Sequence, residues 1–270
     1  MNYHIYQPSN CLSDFVRYYW QLELNSNSPT VQTNRVIPAS ELQMIFHYKT
    51  PFREVDKRDR HLIQPRSLIC GQQTEYKDIV SSDSIGMLAV VFYPYALRAF
   101  LPNLVSEFTD RSISLNDLFP AETNILEERI IEANSVRSRI LLIENFLLKR
   151  LTILNSFSIT KEAVNIITKV NGQITVGEMA NKLNLSKRQL ERIFLADVGI
   201  SPKKLGRIIR FNTSIKLFSL VEPLTALAYE AGYFDQSHLV RDFREFSGLS
   251  PKEFFRQPCH TREYGITHLG

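Results

Sequence analysis

Two short stretches near the C-terminus hold side chains suited to hydrogen-bonding the edges of nucleic-acid bases. The first contains Lys187, Arg188, Glu191 and Arg192, and the second contains Gln236, Ser237, Val240 and Arg241. Arginine matches guanine N7 and O6 with two parallel donors, and glutamine matches adenine N6 and N7. Lysine offers a point charge suited to phosphate. A carboxylate such as Glu191 accepts from cytosine N4 but is repelled by phosphate, so its contribution is ambiguous. Such groups act together only from one side of a helix. At helical spacing, the first set opposes Leu190, Ile193 and Phe194. In the second, Ser237, Val240, Arg241 and Arg244 oppose Leu239, Phe243 and Phe246, and Gln236 sits at the N-terminal tip.

The flanking residues predict the elements that hold these stretches. Thr175-Val-Gly-Glu178 is a capping box opening a short helix through Leu183. Asn184 follows at a tight-turn position, and Ser186-Lys-Arg-Gln189 is a second capping box. Two short helices joined by so brief a turn make a helix-turn-helix. A second copy runs from a helix over Leu224 to Ala231, through Gly232, to a helix capped by Asp235. It carries one extra residue, around Phe234. The duplication is explicit in the pattern R-x-F-x4-G-I/L-S-P-K-x-L/F, which begins at Arg192 and again 49 residues later at Arg241. Such a repeat means one structural unit used twice. Ser201-Pro202 and Ser250-Pro251 each place an N-cap before a proline at the first helical position. The helix from Pro202 to about Leu220 is a stiff spacer bearing Lys203, Lys204, Arg207, Arg210 and Lys216, with Lys203 and Lys204, like Lys252, read as a solvated face. On one face of a duplex the two units must present their helices about 34 Å apart.

The rest of the 270-residue chain differs in character. Tyr18, Trp20, Leu22 and Leu24 alternate with other residues, as do Leu42, Met44, Phe46 and Tyr48, which predicts strands. Met87-Leu-Ala-Val-Val-Phe92 is a continuous apolar run suited to a strand covered on both faces. After Pro94 the period becomes helical, and Ile140, Ile143, Leu147, Leu151 and Leu154 form an amphipathic stripe. That stripe suits packing within the chain and pairing with a second chain equally well. Asn155-Ser-Phe-Ser158 reads as the joint before the C-terminal domain.

The net charge of +4 is unevenly placed. Residues 161–256 carry 15 Lys and Arg against 10 Asp and Glu, whereas residues 1–159 carry 16 against 17. A basic bias confined to the C-terminal part suits a polyanion partner. Three distant cysteines, Cys11, Cys70 and Cys259, suit reduced thiols in a cytoplasmic protein rather than a disulfide framework. No apolar run is long enough to span a bilayer, and the N-terminus lacks the pattern of a secretory signal.

Between Thr175 and Arg256 the chain resembles the AraC/XylS family of transcription regulators. The resemblance is carried by Ala180-x2-Leu183-x-Leu185-Ser186, Leu190-x-Arg192-x-Phe194-x4-Gly199-x-Ser201-Pro202, Ala228-x2-Ala231-Gly232-Tyr233-x-Asp235-x-Ser237-x3-Arg241-x-Phe243 and Gly248-x-Ser250-Pro251-x2-Phe254. It implies that Arg188, Glu191 and Arg192 face bases in one groove segment, with Lys187 near phosphate, and that Gln236, Ser237 and Arg241 face bases in the next. Leu190, Phe194, Phe243, Gly232, Pro202 and Pro251 are scaffold. The N-terminal half, with Arg35-Val-Ile-Pro38, Gly71-Gln-Gln73 and Val91-Phe-Tyr-Pro94-x3-Arg98, is similar to the cupin-like sensor half of some relatives.

The expectation is an α+β multidomain chain. A β-rich cupin-like barrel (1–120) is followed by a helical linker or dimerisation segment (121–157). An all-α domain (158–258) then holds helix-turn-helix units at about 174–198 and 223–247, and a tail (259–270) without fixed structure ends the chain. The resemblance further implies double-stranded DNA, RNA polymerase, a small-molecule effector and a second copy as partners, with no membrane, no cofactor and no enzyme activity. An effector pocket would be lined by Trp20, Tyr48, Tyr93 and Arg98, although such aromatics equally suit a plain core.

Three rival chemistries fit poorly. A metal-dependent cupin enzyme needs an H-x-H pair with further ligands, and His47 and His61 stand alone. A DNA-repair methyl acceptor needs a reactive cysteine, often with zinc-binding cysteines, and three scattered cysteines match badly. Cys259, His260 and His268 near the terminus suit a loose tail better than a metal site.

Overall fold

The computed structural model describes residues 2–25, 33–55, 59–81, 84–101, 104–256 and 266–268. Its N-terminal half is built of two antiparallel sheets. The first has the order β1 (Asn2–Tyr6), β2 (Val16–Asn25), β9 (Ser84–Phe92), β4 (Leu42–His47), β7 (Ser67–Cys70) and β10 (Ser112–Ser114). The second has the order β11 (Ile266–His268), β3 (Thr33–Val36), β8 (Lys77–Val80), β5 (Arg53–Val55) and β6 (His61–Ile63). The alternation read from the sequence decides how they face. Trp20, Leu22, Ile45, Met87, Ala89 and Val91 meet Phe52 and Ile79 in the space between the sheets. Tyr19, Met44, Phe46, Leu88, Val90 and Phe92 point the other way, into a core shared with the helices. Strand β9 is therefore buried on both faces, as its unbroken apolar run required.

The expected barrel does not close. Among the described residues no strand pair joins an edge of one sheet to an edge of the other, so the domain is a two-sheet sandwich. The expected tail also departs from a loose segment, because residues 266–268 pair antiparallel with β3. Cys259 and His260 lie outside the described residues. The turn after Pro94 becomes one 3-10 turn, Leu97–Phe100, rather than a full helix. Leu101 there is extended, and the Ala99 carbonyl accepts from the Thr152 amide at 2.8 Å instead of continuing a helical ladder.

Helices α1 (Leu115–Leu118), α2 (Pro120–Glu132) and α3 (Val136–Leu148) cover the outer face of the first sheet. The stripe on α3 faces inward, with Ile143 and Leu147 fully buried. Glu144 is buried beside them and accepts from the Ser9 amide at 2.8 Å and from the Tyr19 hydroxyl. Leu151 and Leu154, expected to continue the stripe, lie beyond the end of this helix at Leu148. The C-terminal half consists of α4 (Phe157–Lys169), α5 (Val176–Lys182), α6 (Lys187–Val198), α7 (Pro202–Leu217), α8 (Leu224–Glu230), α9 (Gln236–Ser247) and α10 (Pro251–Arg256).

One polar chain runs through the N-terminal half. The buried ring of His47 contacts Gln64 Oε1 through Nε2 at 3.0 Å, and Gln64 Nε2 donates to Glu54 at 2.9 Å. Glu54 also accepts from Ser112 and pairs with Lys77 at 3.1 Å. Burial pushes the His47 pKa down to about 4, the bond to Gln64 only partly opposing it. Folded His47 therefore stays neutral at a pH where the unfolded ring is protonated. Stability from this residue is present above the unfolded value near 6.5 and is lost as pH falls toward 4. Unfolding by urea at stepped pH should show a loss of about 3 kcal/mol across that window. Glu54, whose carboxyl is held below its usual range, gives way only at lower pH. His47→Gln should abolish the slope between pH 6.5 and 4; an unchanged slope would place its origin elsewhere.

Candidate nucleic-acid interface

The two units repeat each other at the level of hydrogen bonds. In the first, the Thr175 hydroxyl accepts from the Glu178 amide and the Glu178 carboxylate accepts from the Thr175 amide, a complete capping box opening α5. Ser186 and Gln189 form a second box opening α6. The turn between them passes through Asn184 at φ 53, and the Leu185 amide donates back to the Ala180 carbonyl at 2.9 Å. In the second unit the Tyr233 amide donates to the Ala228 carbonyl at 2.8 Å, so Tyr233 occupies the place of Leu185. Asp235 then caps α9 by accepting from the His238 amide at 2.8 Å. The extra residue is thus Phe234, between the turn and the cap.

The faces follow from the hydrophobic spacing. On α6, Leu190 and Phe194 are fully buried, while Lys187, Arg188, Glu191 and Arg192 are exposed. On α9, Leu239, Phe243 and Phe246 are buried, Gln236, Ser237 and Arg241 are exposed, and Val240 is half-buried. The sequence thus brings each set to one helix face. It did not single out His238, exposed on the first turn of α9 with Nδ1 3.5 Å from Asp235. Its position three residues after the cap was the available signal.

Helix α7 serves both units. Phe211 at its centre is fully buried and meets Phe243 at 4.9 Å and Phe246 at 5.2 Å between ring centroids. Arg207 on this helix forks between Asp242 Oδ1 at 2.6 Å and Glu245 on α9. Lys204 adds a bond to Glu245 at 2.6 Å. Burial opposes the charge on Glu245, but the bonds from Arg207 and Lys204 outweigh it and hold the carboxyl below its usual range.

Helices α6 and α9 both end on glycine in the left-handed conformation, Gly199 at φ 91 and Gly248 at φ 74. Each end touches the N-terminal half. The Thr109 hydroxyl donates to the Gly199 carbonyl at 2.7 Å, and Arg98 approaches Asp197 at 3.8 Å. On the other side, Arg35 grips Asp78 with two bonds, lies over the Tyr76 ring at 3.9 Å, and donates to the Ser247 carbonyl at 2.9 Å. A side chain at Gly248 would meet the Tyr76 ring. Nearby, Asn212 of α7 donates to the Pro38 carbonyl at 3.1 Å.

The residues expected around an effector are not brought together. A cavity of about 80 Å3 lies between the sheets, lined by Trp20, Ile37, Ile45, Phe52, Ile79 and Met87 with Glu54, Gln64 and Lys77. Of the four named residues only Trp20 borders it. Tyr48 points to the opposite core, where its hydroxyl accepts from Gln21 and Arg139 lies over its ring. Tyr93 stacks on Tyr95, and Arg98 reaches toward α6. Among the described residues no three His, Cys, Asp or Glu side chains converge as metal ligands, and no helix is long and apolar enough to cross a membrane.

Residues 179–257 match a family described as a helix-turn-helix domain, and residues 4–114 match a domain of unknown function (DUF6597). Over 81 residues the chain is 30% identical to the regulatory protein Ada of Salmonella typhimurium, a stretch covering 30% of this chain and 23% of that protein. The chain therefore spans under a quarter of the length of that curated relative. Among solved structures, ToxT from Vibrio cholerae O395 is similar at 13% identity over 86% of this chain and 98% of that one, with a TM-score of 0.45. The C-terminal domain of AraT, a response regulator from Geobacillus stearothermophilus, is 30% identical over 36% of this chain and 84% of that one, with a TM-score of 0.35.

The ion pairs joining α7 to α9 set a measurable expectation. Arg207→Ala leaves Asp242 buried without its partner and should destabilise the C-terminal half by about 2 kcal/mol. That is less than for a fully enclosed pair, because Glu245 and Arg207 reach solvent. Arg207→Lys should recover only part, having one donor point in place of a fork. Equal urea midpoints for wild type and Arg207→Ala would contradict this. With its duplicated units behind a β-rich N-terminal domain, the chain carries over residues 179–257 a helix-turn-helix domain similar to those of AraC-type regulators.

Proposed function

We propose that this chain reads specific DNA through two successive major-groove segments, with α6 entering one and α9 the next. The observation that carries this is the duplicated unit with one charged, exposed face per copy. In that reading Arg188, Glu191 and Arg192 address bases from α6, and Lys187 addresses phosphate. Gln236, Ser237 and Arg241 address bases from α9, with Val240 offering an apolar contact to a thymine methyl. The spacer α7 is ion-paired to α9, which suits a fixed separation of the two helices and reduces the ordering cost of binding.

The N-terminal half is then a regulatory domain and the chain is not an enzyme. We place the domain divisions near residues 120 and 158 and the protein with its DNA in the cytoplasm. A small-molecule effector fits the cavity between the sheets better than the residues first named from sequence. Val36, Ile37 and Ala39 border that cavity, and the same segment carries the Arg35 and Pro38 contacts to α9 and α7. Occupancy of the cavity therefore has a short mechanical route to the second unit. Contact with RNA polymerase and assembly with a second copy follow from the family resemblance.

The reading is tested by selecting bound fragments from a genomic library with the full chain at physiological salt. The expected product is one motif with two short blocks about one helical turn apart. Arg192→Ala and Arg241→Ala should each relax specificity in a different block, costing about 1–3 kcal/mol at the cognate base. Lys187→Ala should weaken all sequences alike and reduce the salt dependence by about one counterion. If no sequence is enriched and both arginine variants behave as wild type, the domain is not a sequence reader.

A further inference from the structure

Phe234 is the residue that the second unit has and the first lacks, and its placement is anomalous. A hydrophobic residue just before an N-cap ordinarily packs back onto the fourth residue of the helix. Leu185 in the first unit, just before the cap Ser186, is partly buried against the core, five residues before Leu190, the fourth residue of α6. In the second unit Tyr233 fills the equivalent place and is 5% exposed, whereas Phe234 is 82% exposed. Among the described residues its one ring contact is edge-on to His238, at 6.1 Å between centroids, on the first turn of α9.

The backbone around this phenylalanine is pinned on both sides. The Tyr233 amide is bonded to Ala228, and the Asp235 side chain is bonded to the His238 amide. The backbone that carries the ring is thus fixed beside the helix tip, next to Gln236 and Ser237 in the chain. An aromatic ring at the mouth of a helix that enters a major groove meets one apolar feature there, the C5 methyl of thymine.

We propose that Phe234 is a specificity-determining residue that reads a thymine methyl beside the base addressed by Gln236. This rests on the two-groove reading above. Because the ring is solvent-exposed in the free protein, its removal leaves the fold intact, and its contribution is confined to one base pair.

The test uses the full chain and synthetic duplexes carrying its selected motif. Each thymine near the block read by α9 is replaced in turn by deoxyuridine, which removes only the methyl. One replacement should weaken wild type about fourfold, the worth of one buried methyl. That same replacement should leave Phe234→Ala unaffected, while Phe234→Leu keeps part of the sensitivity. Phe234→Ala should also melt at the wild-type temperature. A wild type indifferent to every deoxyuridine, or a Phe234→Ala variant with undiminished sensitivity, overturns the proposal. So does a lowered melting temperature, which would show the ring to be packed. If Arg241→Ala still loses its own base in such a case, the two-groove reading stands and the thymine contact alone falls. A wild-type chain that enriches no motif removes both.

Discussion

Helices of seven residues, such as α5 and α8, are too short to bury a core of their own, so each needs a wall supplied by another element. The C-terminal half meets this constraint with α7, which both units share. Phe211 anchors the second unit's aromatic cluster, and α4, which packs on α7, also packs on α6 of the first unit. Because the wall is a single stiff helix, the positions of α6 and α9 are not independent. Arg207 ties the geometry down by gripping the buried face of α9 rather than its exposed one, which leaves Arg241 and Gln236 unencumbered.

The same economy joins the two halves. The core on the helix-facing side of the first sheet is continuous with the core of the C-terminal helices. Polar contacts cross as well, from Thr109 to Gly199, Lys161 to Asp14 and Asn212 to Pro38. The N-terminal domain is therefore not a bead on a flexible string. Its inter-sheet space, by contrast, is lined mainly by a second apolar cluster, with Ile37 the lining residue that also belongs to the shared core.

The repeat, the capping boxes and the exposed faces of α6 and α9 were legible because they depend on residues close in sequence. Thr175 with Glu178, or Ser186 with Gln189, settle a helix start locally. Strand β9 was legible for the same reason. What escaped depends on distant partners. Strand β1 is ordered by its pairing with β2 rather than by a pattern of its own. Closure of the sheets is a matter of edge pairing, to which alternation is blind. Lys204 looked solvated because its carboxylate partner, Glu245, lies 41 residues away. Tyr48 and Trp20 looked like neighbours in one pocket because their strands' pleat, and hence the face each takes, is fixed only once the register is known.

The paired glycine caps give the N-terminal domain mechanical advantage. Thr109 and Arg35 hold the trailing ends of α6 and α9, while the exposed residues proposed to meet DNA lie toward the leading ends. Each helix is 12 residues long, about 18 Å from joint to tip. A tilt of about 10° at such a joint sweeps the tip through ~3 Å, more than the tolerance of a hydrogen bond to a base edge. Small strains at two fulcrums are in this way magnified into the difference between a helix that fits its groove and one that does not.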